Sequence, residues 1–206
     1  MPEQSKKLYV VAAPSGVGKT SLVNALLAEC DDLYLSISYT TRLKRQGEID
    51  GSDYFFVDQK KFQQMIADND FLEYARVYGN YYGTSFAWVT DKLNTGHHVI
   101  LEIDWQGAQQ IRQRFPDAVM IFLLPPSKAM LRERLYKRQQ DDEASINTRM
   151  EGVATEVSHC YEFDYILVND DFDRTLQQLK AIVNGVQLPK SDADIEILVN
   201  TLTGTK

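Results

Sequence analysis

Ala13-Pro14-Ser15-Gly16-Val17-Gly18-Lys19-Thr20 follows an apolar run, Leu8-Tyr9-Val10-Val11-Ala12, and precedes a segment in which Leu22, Val23, Leu26 and Leu27 share a helical face. Strand, glycine-containing loop, Lys-Thr and helix, in that order, form a phosphate-binding loop. Successive backbone N–H groups of such a loop turn inward on phosphate oxygens. The free N–H groups and positive dipole end of the next helix add to them. Lys19 is then expected to reach the β- and γ-phosphates, and the Thr20 hydroxyl to hold Mg²⁺. Ala13 stands where the usual pattern opens with Gly, whereas Gly16 and Gly18 remain at the positions where a Cβ is least tolerable beside a phosphate.

Strand-like runs alternate with helix-like ones on either side of this loop, which predicts an α/β fold with a parallel sheet and helices on both faces. The expected core strands are Leu8–Ala12, Val99–Ile103, Val119–Leu124 and Tyr165–Val168, all short, apolar and rich in β-branched residues. Gly96 suits a helix end before Val99, and Pro116 a stop after the helix that follows Asp104. Residues 36–90 depart from this alternation. Aromatic residues cluster there, and two short strand candidates, Tyr54–Val57 and Phe71–Tyr74, flank one helix carrying Phe62, Met65 and Ile66. With a turn at Gly79-Asn80, the segment reads as a small mixed α+β lobe inserted into the core. Residues 127–160 read as helix, capped by Ser127 and interrupted by a polar tip over 139–144. A closing helix carries Leu176, Leu179, Ile182 and Val183, and after Gly185 the tail is weakly amphipathic.

The totals, 206 residues with 44% hydrophobic and 25% charged, are those of a soluble globular protein. A net charge of −7 argues against a general nucleic-acid binder and leaves room only for a local basic site. Cys30 and Cys160 match no metal spacing and read as buried free thiols in a reducing cytoplasm. No apolar run approaches the ~20 residues of a membrane span, and Met1–Lys7 lacks a signal-peptide segment, so no membrane partner is expected. His97 and His98 follow Gly96 and read as exposed turn residues, since no third metal ligand accompanies them.

A succession of further motifs runs along the chain. Ser36-Ile37-Ser38-Tyr39-Thr40-Thr41-Arg42, Arg45, Gly47-Glu48, Gly51 and Tyr54-Phe55-Phe56 resemble the nucleotide-acceptor lobe of guanylate kinases. So do Phe71-Leu72-Glu73, Gly79-Asn80-Tyr81-Tyr82-Gly83-Thr84 and Asp104-Trp105-Gln106-Gly107, and Val168-Asn169-Asp170-Asp171 completes the set. The resemblance extends from about Leu8 to Gly185 and is nearest to the bacterial form of the family. It implies a P-loop NTPase core over 1–35, a GMP-binding lobe over 36–90, core again over 91–130, a helical lid with flanking helices over 131–157, and core with a C-terminal tail over 158–206. The implied reaction is phosphoryl transfer from ATP to GMP, and to dGMP, in purine nucleotide metabolism in the cytoplasm. Mg²⁺ accompanies ATP as the co-substrate. Whether the chain is a monomer or a homo-oligomer stays open.

The chemistry of the residues runs parallel to this resemblance. Guanine offers two donors on one edge, N1–H and the 2-amino group, and a single carboxylate such as Glu73 accepts both. A base without that donor pair leaves buried polar groups unpaired. The resemblance adds Ser38 and Thr84 as hydroxyls at the guanine edge and Asp104 as a further acceptor. It assigns Arg42, Arg45, Tyr54 and Tyr82 to the GMP phosphate, where the planar guanidinium fork suits phosphate oxygens. The resemblance further implies Lys19, Arg42, Arg134, Arg138 and Arg149 as the catalytic cations around the transferring group, and Asn169 as a contact to adenine. Lys137 and Gln139 flank Arg138 where the family usually has Gly. Glu102 stands where the family generally has Asp and is a possible Mg²⁺ partner through water. Two other readings use the same fold: a phosphopeptide-binding scaffold without chemistry, and a kinase acting on a ribose phosphate. The retained Gly16, Gly18, Lys19 and Thr20 speak against the first, and Glu73, Ser38 and Thr84 together against the second.

Overall fold

The computed structural model describes residues 7–138, 142–189 and 193–205. Its first strand, β1 (Leu8–Ala12), is apolar and buried along its whole length, as the sequence predicts for a doubly covered strand. The chain forms two compact units, one from residues 1–10 and 32–119, the other from 11–31 and 120–206. β1 is therefore shared, Leu8–Val10 with the first unit and Val11–Ala12 with the second.

In the first unit, β2 (Leu33–Leu35) pairs in parallel with β7 (His98–Glu102), and the strand order is β2-β7-β1. A second sheet has the order β4-β3-β6-β5, built from β3 (Tyr39–Thr40), β4 (Phe55–Phe56), β5 (Phe71–Val77) and β6 (Asn80–Ser85). β5 and β6 are antiparallel, with a bulge between Phe71 and Glu73. Helix α2 (Gln59–Ala67) is N-capped by Asp58, whose carboxylate accepts from the Lys61 N–H at 2.7 Å. It lays Phe62 and Met65 against Phe71, and the Phe62 and Phe71 rings stack with centroids 4.5 Å apart. Much of the aromatic cluster is thus the core of this small sheet. Helix α3 (Phe86–Asn94) is capped by Ser85 and α4 (Trp105–Arg114) by Asp104.

In the second unit, the order is β1-β8-β9, with β8 (Val119–Leu124) parallel to β9 (Tyr165–Val168) and Ile121 opposite Tyr165. Helix α1 (Lys19–Leu27) packs against α7 (Phe172–Val183). Residues read as one long helical region form α5 (Lys128–Lys137), capped by Ser127, and α6 (Glu143–Ser158), capped by Asp142. Of the expected polar tip over 139–144, residues 139–141, including Gln139, lie outside the described residues, and Asp142 to Ala144 cap and open α6. The tail contains α8 (Ala193–Thr203), which packs along α6 and buries Val199 and Leu202.

Three expectations need adjustment. β2 is a sheet strand that the sequence pattern does not announce, because only Leu33 of its three residues is fully buried. His97 and His98 are half-buried rather than exposed: His97 packs on Tyr34, and His98 Nδ1 accepts from the Lys7 N–H at 3.0 Å. Cys160 is buried and Cys30 only partly so; both are free thiols.

Candidate functional site

The loop after β1 has the backbone its sequence demands. Gly16 and Gly18 have φ of 95° and 106°, a region L-residues rarely enter. A Cβ on Gly16 would also meet Leu135 Cδ2 at 2.8 Å, and one on Gly18 would meet Asn169 Nδ2 at 2.8 Å. Ala13 is buried and has no positive φ, so its methyl group is accommodated without strain. Lys19 and Thr20 open α1, with Thr20 exposed.

Three side chains hold the loop from outside. Arg134, on α5, donates through Nη1 to the Val17 carbonyl at 2.8 Å and through Nη2 to the Asn169 carbonyl at 2.9 Å. Asn169, just past β9 and 4% exposed, donates through Nδ2 to the same Val17 carbonyl at 2.7 Å. Arg149, on α6, donates through Nη1 to the Ser15 hydroxyl at 2.5 Å. Arg138 stands exposed at the C-cap of α5. The structure thus brings Arg134, Arg149 and Asn169 to the phosphate loop. Asn169, expected at adenine, also lends its Nδ2 to the loop backbone at Val17.

The first unit gathers the acceptor candidates. Glu73 is 3% exposed on β5, and its Oε1 accepts from the Thr84 hydroxyl on β6 at 2.5 Å. A carboxylate this deeply buried requires such a partner. Gly107, in the first turn of α4, lies so close that a Cβ there would overlap Glu73 Oε2. Asp104 accepts from the Gly107 N–H at 2.9 Å and from Gln106 Nε2 at 2.8 Å, so both its oxygens are engaged within its own helix start. Ser38 is buried just before β3.

A second cluster surrounds Arg42. Its guanidinium forms a fork with Glu48, Nη1 to Oε2 at 3.0 Å and Nη2 to Oε1 at 2.6 Å. It lies 5.3 Å from the Tyr54 ring centroid and 5.7 Å from that of Phe56. Glu48 also accepts from the Arg45 N–H at 2.7 Å. Burial alone would raise the Glu48 pKa, but the hydrogen bonds from Arg42 and Arg45 outweigh it and hold the group below the ordinary carboxylate value. Tyr54 and Tyr82 rings are 5.9 Å apart. Burial first, then Tyr82 and the charge of Glu102, push the Tyr54 phenol up to about 12. Glu102, at the end of β7, thus adds to the rise at Tyr54. Glu48 has no role in the sequence reading, although its motif was visible; its function as the orienting partner of Arg42 emerges only in three dimensions.

Among the described residues no group of three or more His, Cys, Asp or Glu side chains could hold a metal ion. No helix among the described residues is long and apolar enough to cross a membrane.

Comparison with known proteins adds to this geometry. The guanylate kinase family model matches residues 5–185. Guanylate kinase of Methylococcus capsulatus is 55% identical over 181 residues, covering 88% of this chain and 89% of that protein. The Alkalilimnicola ehrlichii guanylate kinase is 56% identical over 175 residues, covering 85% and 86%. The crystal structure of guanylate kinase from Anaplasma phagocytophilum superposes with a TM-score of 0.73 at 31% identity, covering 97% of this chain and 96% of that one.

Proposed function

The chain belongs to the guanylate kinase family and transfers the γ-phosphoryl group of ATP to GMP, giving ADP and GDP; from that premise we propose how its own residues divide the work. The observation that carries the assignment is the buried Glu73 carboxylate, held by Thr84 and backed by Gly107. Glu73 accepts guanine N1–H and the 2-amino group, and Ser38, Thr84 and Asp104 complete the base site. The ribose makes no demand on these groups, so dGMP is a second acceptor. Arg42, Arg45, Tyr54 and Tyr82 bind the GMP phosphate, with Glu48 fixing the Arg42 fork in advance. We assign residues 36–90 to GMP binding and 131–157 to a lid.

On the donor side, backbone groups of Ala13, Pro14, Ser15, Gly16, Val17, Gly18, Lys19 and Thr20 cradle the ATP phosphates. Lys19, Arg138 and Arg149 supply positive charge to the transferring group, and Arg149 is already anchored at Ser15. Arg134 and Asn169 act through the Val17 carbonyl as positioning residues. The acceptor phosphate is already an anion, so transfer needs alignment and charge neutralisation rather than a strong general base. Thr20 is the residue that would hold Mg²⁺, which neutralises phosphate charge when bound. Glu102 stays a possible partner of that ion through water. We infer a cytoplasmic role in GMP recycling.

A coupled ADP-release assay with GMP, dGMP, AMP, CMP and UMP tests this on the parent protein and on Glu73→Gln. Only GMP and dGMP should be used efficiently. Glu73→Gln presents a donor to a guanine donor and should lower kcat/KM for GMP by about 100-fold or more, with the melting temperature little changed. Unchanged efficiency would remove Glu73 from the site.

A further inference from the structure

β5 is an edge strand, so one row of its backbone groups has no neighbouring strand. Helix α4 covers that row with side chains spaced four residues apart. Gln106 Nε2 donates to the Arg76 carbonyl at 3.5 Å. Gln110 Oε1 accepts from the Tyr74 N–H at 3.2 Å, and its Nε2 donates to the Tyr74 carbonyl at 2.8 Å. Arg114 Nη1 donates to the Phe71 carbonyl at 3.1 Å. The Gln110 carboxamide thus satisfies both backbone groups of one strand residue, as the peptide of an adjoining strand would.

The contacts of Gln110 and Arg114 bracket the β5 bulge. Phe71 pairs with Ser85 and Glu73 with Thr84, so the extra residue lies between the Arg114 and Gln110 anchor points. A bulge bends its strand and re-aims the side chains within it. Here the side chain being aimed is Glu73. The same helix carries Gly107, against which the Glu73 carboxylate rests, and starts at Asp104.

We propose that Gln110, assisted by Arg114, is a specificity-positioning residue: by fixing the bulged segment 71–74 it sets the direction in which Glu73 presents its carboxylate to guanine. The inference rests on the reading of Glu73 as the guanine acceptor. Gln110 touches no substrate and acts only through Glu73.

The test is a double-mutant cycle on the full-length enzyme, with Gln110→Ala, Glu73→Gln and the pair, reading kcat/KM for GMP, KM for ATP and the melting temperature. Gln110→Ala should lower kcat/KM for GMP about tenfold, chiefly through KM, and leave KM for ATP within about twofold. In the Glu73→Gln background the same substitution should cost less than about twofold, because the group it positions is already spoiled. Additive losses, or no loss from Gln110→Ala beside a large one from Glu73→Gln, overturn this inference alone. An unaffected Glu73→Gln enzyme overturns the reading of Glu73 and this inference with it. Should Gln110→Ala fold poorly, Gln110→Glu keeps the size and the acceptor for Tyr74 N–H but sets a carboxylate against the Tyr74 carbonyl, and should show the same GMP-selective loss. Arg114→Lys, which keeps a donor for the Phe71 carbonyl, should recover most of what Arg114→Ala loses; an equal loss in both would count against the role of that contact.

Discussion

The Tyr54 phenol loses its proton at about 12 because burial, Tyr82 and Glu102 all oppose the phenolate. An ordinary tyrosine titrates near 10. An ordinary tyrosine is already neutral at physiological pH, so the rise extends the range over which the Tyr54 hydroxyl stays a donor further into the alkaline. The contribution of Tyr54 to stability is fully present below about pH 10 and is lost as the pH rises from there through about 12. Alkaline absorbance titration should show one of the 11 tyrosines ionising well after an unperturbed one. Tyr54→Phe should delete that late step and raise KM for GMP by about fivefold, the share of one hydrogen bond to a charged phosphate oxygen. A late step that survives the substitution belongs to another residue.

Among the elements, α5 and the phosphate loop are joined by a specific bond pattern, the Arg134 fork on the Val17 and Asn169 carbonyls. Arg134→Ala removes two charge-assisted bonds and leaves the Asn169 amide as the remaining donor to Val17. Expected costs are about 1.5–3 kcal/mol of stability per bond to a charged group, and a rise in KM for ATP with KM for GMP little changed. Arg134→Lys should behave almost like alanine, since a point charge cannot span two carbonyls as a fork does. Equal rises in both KM values would show a general loss of structure instead. Sequence pattern carried the elements themselves because β1, β8 and β9 are continuous apolar runs, and Ser127 is a cap with a visible helical stripe after it. β2 escaped because half-buried Tyr34 and Leu35 make no such run. The hydrogen bonds of Glu48, Gln110 and Asn169 were illegible for a different reason. Each acts by hydrogen-bonding a group distant in sequence or around a loop, and residue type alone does not say which. Glu73 draws notice in the sequence because its neighbours form a motif, while the bulge beside it, contacted from 36 positions further along, has no local trace.

At the scale of the molecule, the candidate residues divide cleanly. Ser38, Arg42, Arg45, Tyr54, Glu73, Tyr82, Thr84, Glu102 and Asp104 belong to the unit of residues 1–10 and 32–119. Residues 13–20, Arg134, Arg138, Arg149 and Asn169 belong to the other. Hydrogen exchange with one nucleotide at a time should follow that division. GMP alone should protect chiefly segments around 38–42 and 73–84, and a non-hydrolysable ATP analogue chiefly 15–20 and the amides near Asn169. GMP protection centred on 15–20 would reverse the assignment.

The covering of β5 by α4 has one more consequence, which concerns solubility rather than specificity. An uncovered edge strand offers its N–H and C=O row to any passing extended segment, including the same strand of another copy. Phe71, Leu72 and the aromatic Tyr74 would make such an encounter adhesive. Gln106, Gln110 and Arg114 occupy that row with polar side chains. In the folded chain, one helix face therefore closes part of that backbone row to strand-to-strand pairing.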